Sequence, residues 1–186
     1  MNKLTEQDYI DSAKLLNVTP AHIKAVAEVE SSGDGFDEKG NVKLMFEEHW
    51  FSKFTKGKYD SNPRISTPKW SVGNSKCSTE ERARFQLASS FDRDSAIKST
   101  SFGKFQVMGF NHLKVGFKTA EEFYQSIIKG EREQLVIFCN FLKSTGLDKC
   151  LRNNDWKGFA KGYNGACYSA YQYDVKLLKA FNKYKG

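Results

Sequence analysis

Residues 19–33 read Thr-Pro-Ala-His-Ile-Lys-Ala-Val-Ala-Glu-Val-Glu-Ser-Ser-Gly, and they predict a helix with an acid at its carboxyl end. The opening Thr-Pro pair is a helix cap followed by a proline at the first helical position, where a missing N–H costs nothing. At about 100° per residue, Glu30 falls roughly 20° from Ile23, on the apolar stripe of the helix. Glu28 falls on the opposite, polar side. We therefore expect a helix over 20–31.

The placement of Glu30 suggests a chemical role. Burial and the negative end of the helix dipole both disfavour its anion, so both should raise its proton affinity. A general acid that breaks a glycosidic bond must hold a proton near neutral pH and deliver it to the departing oxygen. The alternative is a half-buried acid paired with Lys or Arg, because structural ion pairs also place acids at such positions.

Capping patterns elsewhere in the chain predict further helices. A cap residue followed three positions later by an acid opens helices at about 6–16, at Ser78 and at Thr119, and aspartates open two more after Asp92 and Asp155. Apolar residues at helical spacing mark a central and a final helix: Leu135, Phe138, Phe141 and Leu142 for the first, and Tyr171, Val175, Leu178 and Phe181 for the second.

One region lacks helical periodicity. Between about 36 and 77, Val42, Leu44 and Phe46 alternate with other residues, and turn-forming residues then dominate. This pattern predicts a small irregular lobe with one or two short strands. The aromatic-rich residues 101–109 are interpreted as a loop or a helix start. We therefore expect a mainly α fold with a minor strand-containing lobe.

Composition limits the class of protein. A chain of 186 residues fits one domain, and a formal net charge of +7 favours an anionic partner, for which nucleic acid, an anionic membrane and the cell wall all qualify. Neither an export signal nor a membrane-spanning run is visible. The histidines show no metal-site spacing. Without an export signal we expect reduced thiols at the four scattered cysteines, Cys77, Cys139, Cys150 and Cys167.

Three short motifs resemble those of goose-type lysozymes and lytic transglycosylases. The first is Glu30-Ser31-Ser32-Gly33, which resembles the catalytic-glutamate motif. The second, residues 101–109 (SFGKFQVMG), is similar to a Gly-x-x-Gln turn that lies beneath the substrate. The third, Tyr163-Asn164-Gly165, resembles the Ala-Tyr-Asn motif that lines the cleft. The three motifs occur in the order found in those enzymes.

From about Gln7 to Tyr184 the chain is still more similar to the N-acetylmuramidase domain of phage endolysins. Residues 44–51 (LMFEEHWF) resemble that family's Leu-Phe-Glu-Arg-His stretch, and residues 155–160 (DWKGFA) its Asp-Trp-x-x-Phe-Ala. The chain departs from the pattern at Phe102, where the family usually has Trp, and at Glu48, where it usually has Arg. The second departure removes a cation beside Glu47.

The resemblance implies an α+β lysozyme-like fold, in which the small lobe flanks the substrate cleft of a helical domain. The activity implied is cleavage of the β-1,4 bond between N-acetylmuramic acid and N-acetylglucosamine in peptidoglycan, with Glu30 as general acid. We expect one catalytic domain over 1–186, without a separate wall-binding module, acting as a monomer without a cofactor or metal. Such a protein, serving phage lysis, would stay in the host cytoplasm until a membrane lesion releases it to the wall.

A hydrolase also needs a base or a nucleophile on the other face of the sugar. Glu47 is the main candidate, because it has the opposite parity to Leu44 and Phe46 and should point away from the core. Asp34 and Asp37 are alternatives, and Glu47 can equally be a structural acid.

The motifs also supply candidate substrate-binding residues. Ser101 and Gln106 come from the second motif, where Gln106 either bonds within the cleft floor or bridges two loops. Tyr163 can stack on a sugar face and Asn164 can bond an acetamido group, although Tyr-Asn-Gly is also ordinary helix-end chemistry. His49 is a further candidate ligand or base.

Other functions stay open at this stage. A lytic transglycosylase cuts the same bond, needs only one glutamate and forms 1,6-anhydro-muramic ends. A non-catalytic wall-binding protein or a phage structural protein would not require an acid on an apolar stripe. The basic residues form no nucleic-acid signature, so nucleic acid is not an expected partner. Four lysines of the final helix, Lys176, Lys179, Lys183 and Lys185, form either an outer-membrane contact or a solvated cationic face.

Overall fold

Helices dominate the computed structural model, which describes residues 3–31, 33–69 and 78–186. Over these residues the chain forms ten α-helices and one small antiparallel sheet, so the predicted mainly α fold with a minor strand-containing part is confirmed. The helices are α1 (Glu6–Leu16), α2 (Pro20–Glu30), α3 (Glu48–Phe54), α4 (Ser78–Phe91), α5 (Arg93–Lys98), α6 (Ala120–Ile127), α7 (Glu131–Ser144), α8 (Leu147–Arg152), α9 (Trp156–Asn164) and α10 (Tyr173–Lys185). The strands are β1 (Leu44–Phe46), β2 (Thr100–Phe102) and β3 (Val107–Met108), with 3-10 turns at Gly109–Asn111 and Ala166–Tyr171.

The predicted helix starts are confirmed by their caps. Thr5 and Thr119 each close a capping box with the acid three residues on, which satisfies backbone N–H groups that the first turn leaves unpaired. The Asp92 side chain accepts from the Ser95 N–H, and Asp155 accepts from the Gly158 N–H at the start of α9. These local bonds place α5 and α9 where the sequence predicted them.

The core is centred on α7, as predicted. Leu135, Phe138 and Leu142 are almost completely buried. Phe105, from the loop between β2 and β3, stacks on Phe138 with ring centroids 4.3 Å apart, and Phe159 of α9 is also fully buried. Helix α7 therefore holds the sheet and α9 against a common core.

Helix α10 exists as predicted, but most of the residues predicted to form its buried apolar face are exposed. Phe181 is buried, whereas Val175 and Leu178 are 57% and 45% exposed, and Tyr171 lies in the preceding 3-10 turn and not in α10. Helix α10 packs against α2 through Leu177, Ala180 and Phe181. Apolar residues occur on both sides of this helix, and the docking against α2 determines which side is buried.

The sheet corrects the interpretation of residues 101–109. The segment is a loop only between the strands: β2 and β3 pair as a hairpin on either side of it, and β2 also pairs with β1. Met45, Ser101 and Met108 stand opposite one another across the three strands. Strands of two and three residues are too short to show a period of two, so pairing with β1, rather than a local pattern, makes them strands.

The small lobe contains a helix that the sequence pattern did not predict. Strand β1 lies within 36–77 as expected, but α3 follows it after one residue. The buried face of α3 consists of Glu48, Phe51 and Ser52. Two of these are polar, so no apolar stripe marks the helix. The predicted lobe extends to residue 77, and its last part, 70–77, lies outside the described residues.

Candidate active site

The ends of α2 and α9 meet at Glu30. Ala27, Val26 and Ile23 of α2 are buried, which places Glu30 at the edge of the core, where it is half-buried. Asn164 is the last residue of α9, and its Nδ2 donates to Glu30 Oε1 at 3.0 Å. The predicted helix wheel is confirmed, and Asn164 bonds the candidate acid, while its bond to an acetamido group of the substrate stays a prediction.

Burial dominates the electrostatics of Glu30. Desolvation raises the pKa of its carboxyl above the usual value, while the Asn164 bond and the charge of Lys176 act to lower it. A raised pKa favours the protonated form, which is the form a general acid needs. Lys176 belongs to α10, so three helices contribute to the environment of this carboxyl.

Tyr163 connects the Glu30 region to the hairpin. Its ring stacks on Phe159 at 5.8 Å and meets Phe138 edge-on at 5.7 Å, and its hydroxyl donates to the Phe105 carbonyl at 3.4 Å. Burial, and to a smaller extent the charge of Glu30, raise the pKa of Tyr163. The ring is thus engaged with the core, and its role in sugar stacking stays a prediction.

Ser101 and Gln106 bond each other within the hairpin. Ser101 is 2% exposed, and its Oγ donates to Gln106 Oε1 at 2.8 Å. Gln106 Nε2 donates to the Gly103 carbonyl at 2.8 Å, and both Gly103 and Gln106 have positive φ. Both bonds of the Gln106 side chain are made within this one hairpin, so they do not bridge two loops as one of the predicted roles required. Substrate contact by either residue stays a prediction.

Glu47 is a further half-buried carboxylate. The parity argument assumed that Glu47 belongs to the strand. That assumption is wrong, because β1 ends at Phe46 and Glu47 is the residue before α3. Its N–H donates to the Ser99 carbonyl at 2.9 Å, and its Oε2 lies 3.5 Å from His49 Nε2. Burial raises the pKa of Glu47, and the charges of Glu48 and Glu81 raise it further.

A buried charge cluster lies beneath Glu47. Arg84 is 1% exposed and contacts the carboxylates of both Glu48 and Glu81. Glu81 accepts from the Phe46 N–H at 2.8 Å, and Arg84 donates to the Phe46 carbonyl at 3.4 Å. Two side chains of α4 thus bond the N–H and the carbonyl of Phe46, the residue before Glu47.

The cluster shows how the chain accommodates Glu48. Arg84, 36 residues further along the chain, pairs with the Glu48 carboxylate itself, while the charges that act on Glu47 are those of Glu48 and Glu81. Sequence reasoning missed Arg84. The only local signal was the spacing of three between Glu81 and Arg84, which on a helix allows an ion pair.

The two alternative aspartates have other positions. Asp34 has 59% of its side chain exposed and lies 3.9 Å from Lys3. Asp37 closes a turn, accepting from the N–H groups of Lys39 and Asn41, and these bonds contribute to lowering its pKa. Asp34 is thus exposed, whereas the Asp37 side chain is about as buried as that of Glu47, at 26% against 24% exposure, and differs from it in having a lowered pKa.

Within 3–31, 33–69 and 78–186, no group of three or more His, Cys, Asp or Glu side chains is arranged to hold a metal ion. In the same part of the chain, no helix has the length and apolar character needed to cross a membrane. Cys139 and Cys150 are free thiols, whereas Cys77 and the side chain of Cys167 lie outside the described atoms.

Comparisons with known proteins agree with this geometry. The family model for N-acetylmuramidase matches residues 19–185. The crystal structure of the Burkholderia AP3 phage endolysin is similar at 33% identity with a TM-score of 0.92, covering 98% of this chain and 71% of that one. A comparison with curated proteins finds no match. The expected lysozyme-like fold is confirmed, and the chain belongs to the N-acetylmuramidase family of peptidoglycan hydrolases.

Proposed function

We propose that the chain hydrolyses the β-1,4 bond between N-acetylmuramic acid and N-acetylglucosamine, with Glu30 as general acid. The observation that carries this proposal is the pairing of a half-buried Glu30 with the neutral amide of Asn164. The amide holds one carboxyl oxygen in place without supplying a full positive charge. The pKa of Glu30 therefore stays raised, as proton donation requires.

The geometry also fits transfer of that proton. Asn164 occupies Oε1, and among the described residues no hydrogen bond is made to Oε2. In the protonated acid, the hydrogen on Oε2 would be presented to the glycosidic oxygen. As the bond to the departing sugar breaks, the proton moves to its oxygen and Glu30 becomes a carboxylate.

Glu47 is the proposed second carboxylate. It is the residue before α3, and its Oε2 lies 3.5 Å from Nε2 of His49. Its raised pKa brings its titration closer to neutral pH, where a general base is most effective. Glu47 would take a proton from the water that attacks the sugar.

Mass spectrometry of fragments released from purified peptidoglycan tests this proposal. The wild type should release fragments with reducing muramic acid ends, and Glu30→Gln should release none in the same time. Glu121→Gln removes one negative charge at an exposed ion pair on α6 and should act as the wild type does.

The other outcomes separate the alternatives. Anhydro-muramic ends would assign the chain to the lytic transglycosylases, and normal release by Glu30→Gln would remove Glu30 as the acid. If the wild type releases no fragment at all, the chain is a wall-binding or structural protein instead.

A further inference from the structure

Three polar side chains meet where the segment after Glu30 passes the β2–β3 hairpin. They are Lys104 of the hairpin and Glu131 and Gln134 of α7, and we refer to them as the junction. Glu131 and Gln134 are 4% and 1% exposed. The Lys104 side chain is 13% exposed, and its Nζ lies 3.4 Å from Glu131 Oε2. Because buried polar groups are costly unless they are bonded, the bonds of the junction show what it holds in place.

The junction holds the segment that follows Glu30. Glu131 Oε1 accepts from the N–H of Gly35, which is buried, at 2.7 Å. Lys104 Nζ donates to the Gly33 carbonyl at 2.8 Å. Glu30 is the last residue of α2, and the end of a helix depends on neighbouring groups because its last carbonyls have no partner within the helix. The two bonds thus restrain the backbone next to the proposed acid.

The same junction is bonded to the segment that leads to Glu47. The Lys43 N–H donates to the Gly35 carbonyl at 2.9 Å, and the Lys43 carbonyl accepts from the Gly103 N–H at 2.8 Å. Lys43 directly precedes β1, and Glu47 directly follows it. Gly35 is therefore bonded to Glu131 through its N–H and to the start of β1 through its carbonyl.

Gln134 determines how closely these segments approach α7. Its Oε1 accepts from the Lys104 N–H at 2.8 Å, and its Nε2 donates to the Ile127 carbonyl at 3.1 Å, so both ends of the amide are bonded. A Cβ at Gly35 would lie 2.0 Å from Gln134 Oε1, and a Cβ at Gly103 would lie 2.6 Å from Gln134 Cδ. Glycine at these two positions leaves room for the bonded amide, which therefore packs directly against both backbones.

We propose that the junction sets the separation of the two proposed catalytic carboxyls, by fixing the segment after Glu30 against the segment before Glu47. Lys104, Glu131 and Gln134 are positioning residues, because they act through the backbone of these segments and not on the reacting atoms. The separation of its two carboxyls decides how a glycosidase can use them. The inference rests on the proposed function, in which both carboxyls act on one sugar.

The test removes both bonds to the segment after Glu30 without leaving an unpaired buried charge. Lys104→Met/Glu131→Met replaces the ion pair by apolar side chains, a change that folded proteins often tolerate. We expect kcat on soluble glycan strands to fall about 10- to 100-fold, since a misplacement of about 1 Å can cost about 100-fold in rate. KM should stay within about twofold of the wild-type value, because the proposed sugar-binding side chains are unchanged. Circular dichroism checks that the variant is folded in the assay.

A second variant restores one of the two bonds. In Lys104→Met/Glu131→Gln an amide oxygen can again accept from the Gly35 N–H. Its kcat should lie between those of the wild type and the first variant. If the first variant does not fold, the second one decides, and its kcat should be at least about threefold below the wild-type value.

The control variant, Asp148→Asn/Arg152→Met, removes an ion pair elsewhere. Arg152 Nη1 donates to Asp148 Oδ2 at 2.7 Å and to the Leu16 carbonyl at 2.9 Å, so this pair also holds a backbone carbonyl. Leu16 lies shortly before the start of α2, whereas Glu30 ends that helix. The control should unfold at a lower urea concentration than the wild type and keep kcat within about twofold, because it is distant from both carboxyls.

Three results would overturn the proposal. The kcat of the deciding junction variant could equal that of the wild type, its KM could rise at unchanged kcat, or the control could lose as much kcat as the junction variants.

Fragment release by the wild type and by Glu30→Gln separates this outcome from failure of the proposed function. An inactive wild type, or a fully active Glu30→Gln, would overturn the proposed function and this inference with it. If both behave as expected and the junction variants act as the wild type does, the inference about the junction alone is wrong.

Discussion

The surroundings of Glu30 and Glu47 differ although both carboxyls are half-buried and both have a raised pKa. Glu30 ends a helix and bonds a neutral amide, and the nearby cation and amide lower its pKa against the effect of burial. Glu47 precedes a helix, lies beside His49, and has two like charges that add to the effect of burial. Burial thus raises the pKa of both carboxyls, whereas their neighbours act in opposite directions: those of Glu30 favour its ionised form, and those of Glu47 favour its protonated form.

The two regions also differ in what holds them in place. Local helix geometry positions Glu30, with one bond from Asn164. Glu47 depends on a buried cluster that joins α3, β1 and α4, with Arg84 between Glu48 and Glu81. A substitution in the Glu30 region should therefore leave the Glu47 region unchanged, and the reverse should also hold.

The largest effect is expected from Arg84→Met. This substitution removes the buried cation between Glu48 and Glu81. Breaking a buried ion pair lowers the free energy of unfolding by about 3–5 kcal/mol. Urea unfolding measures the loss. Arg93→Met breaks the exposed pair with Glu121 and should cost about 1 kcal/mol or less. Equal losses in the two variants would contradict the structural role of the cluster.

Glu47→Gln should separate catalysis from stability. We expect kcat/KM on peptidoglycan strands to fall about 100-fold, the usual effect of losing a general base. A carboxyl whose pKa is higher in the folded chain destabilises that chain once the pH exceeds the unfolded value, so the neutral variant should unfold at or above the wild-type urea concentration. Full activity in this variant would remove Glu47 from the mechanism and favour the transglycosylase.

The smallest effect is expected from Asn164→Ala. Its bond favours the ionised form of Glu30, so its loss should raise the pKa of that acid and move the alkaline limb of kcat/KM to higher pH. Loss of one hydrogen bond should also lower the maximal rate by about tenfold or less. Asn182→Ala, at an exposed position of α10, is the control. An alkaline limb that moves to lower pH would contradict the assignment of Glu30 as the acid whose ionised form Asn164 stabilises.

Sequence reasoning succeeded where the determinants are local. The wheel placed Glu30 on the apolar stripe, and the caps at Thr5, Thr119 and Asp155 placed three helices, because these features depend on residues three or four positions apart. The motif Tyr163-Asn164-Gly165 indicated a site residue, although its bond to Glu30 required the folded chain.

Sequence reasoning failed where contacts are distant or elements are short. The hairpin of β2 and β3 has strands of three and two residues, and α3 buries Glu48 where a helical pattern would show an apolar residue. Arg84 lies 36 residues from Glu48, so no periodicity connects them. The exposed side of α10 likewise depends on its docking against α2, which a helix wheel of α10 alone does not show.

The central claim, that Glu30 donates a proton to the leaving group, is tested most directly by changing that leaving group. A dinitrophenyl glycoside of the same muramic sugar releases a stable anion that needs no proton. We expect Glu30→Gln to lose about 10³-fold in kcat/KM on the natural strand and less than tenfold on the dinitrophenyl substrate. An equal loss on both substrates would contradict the claim, because Glu30 would then act on something other than the departing oxygen.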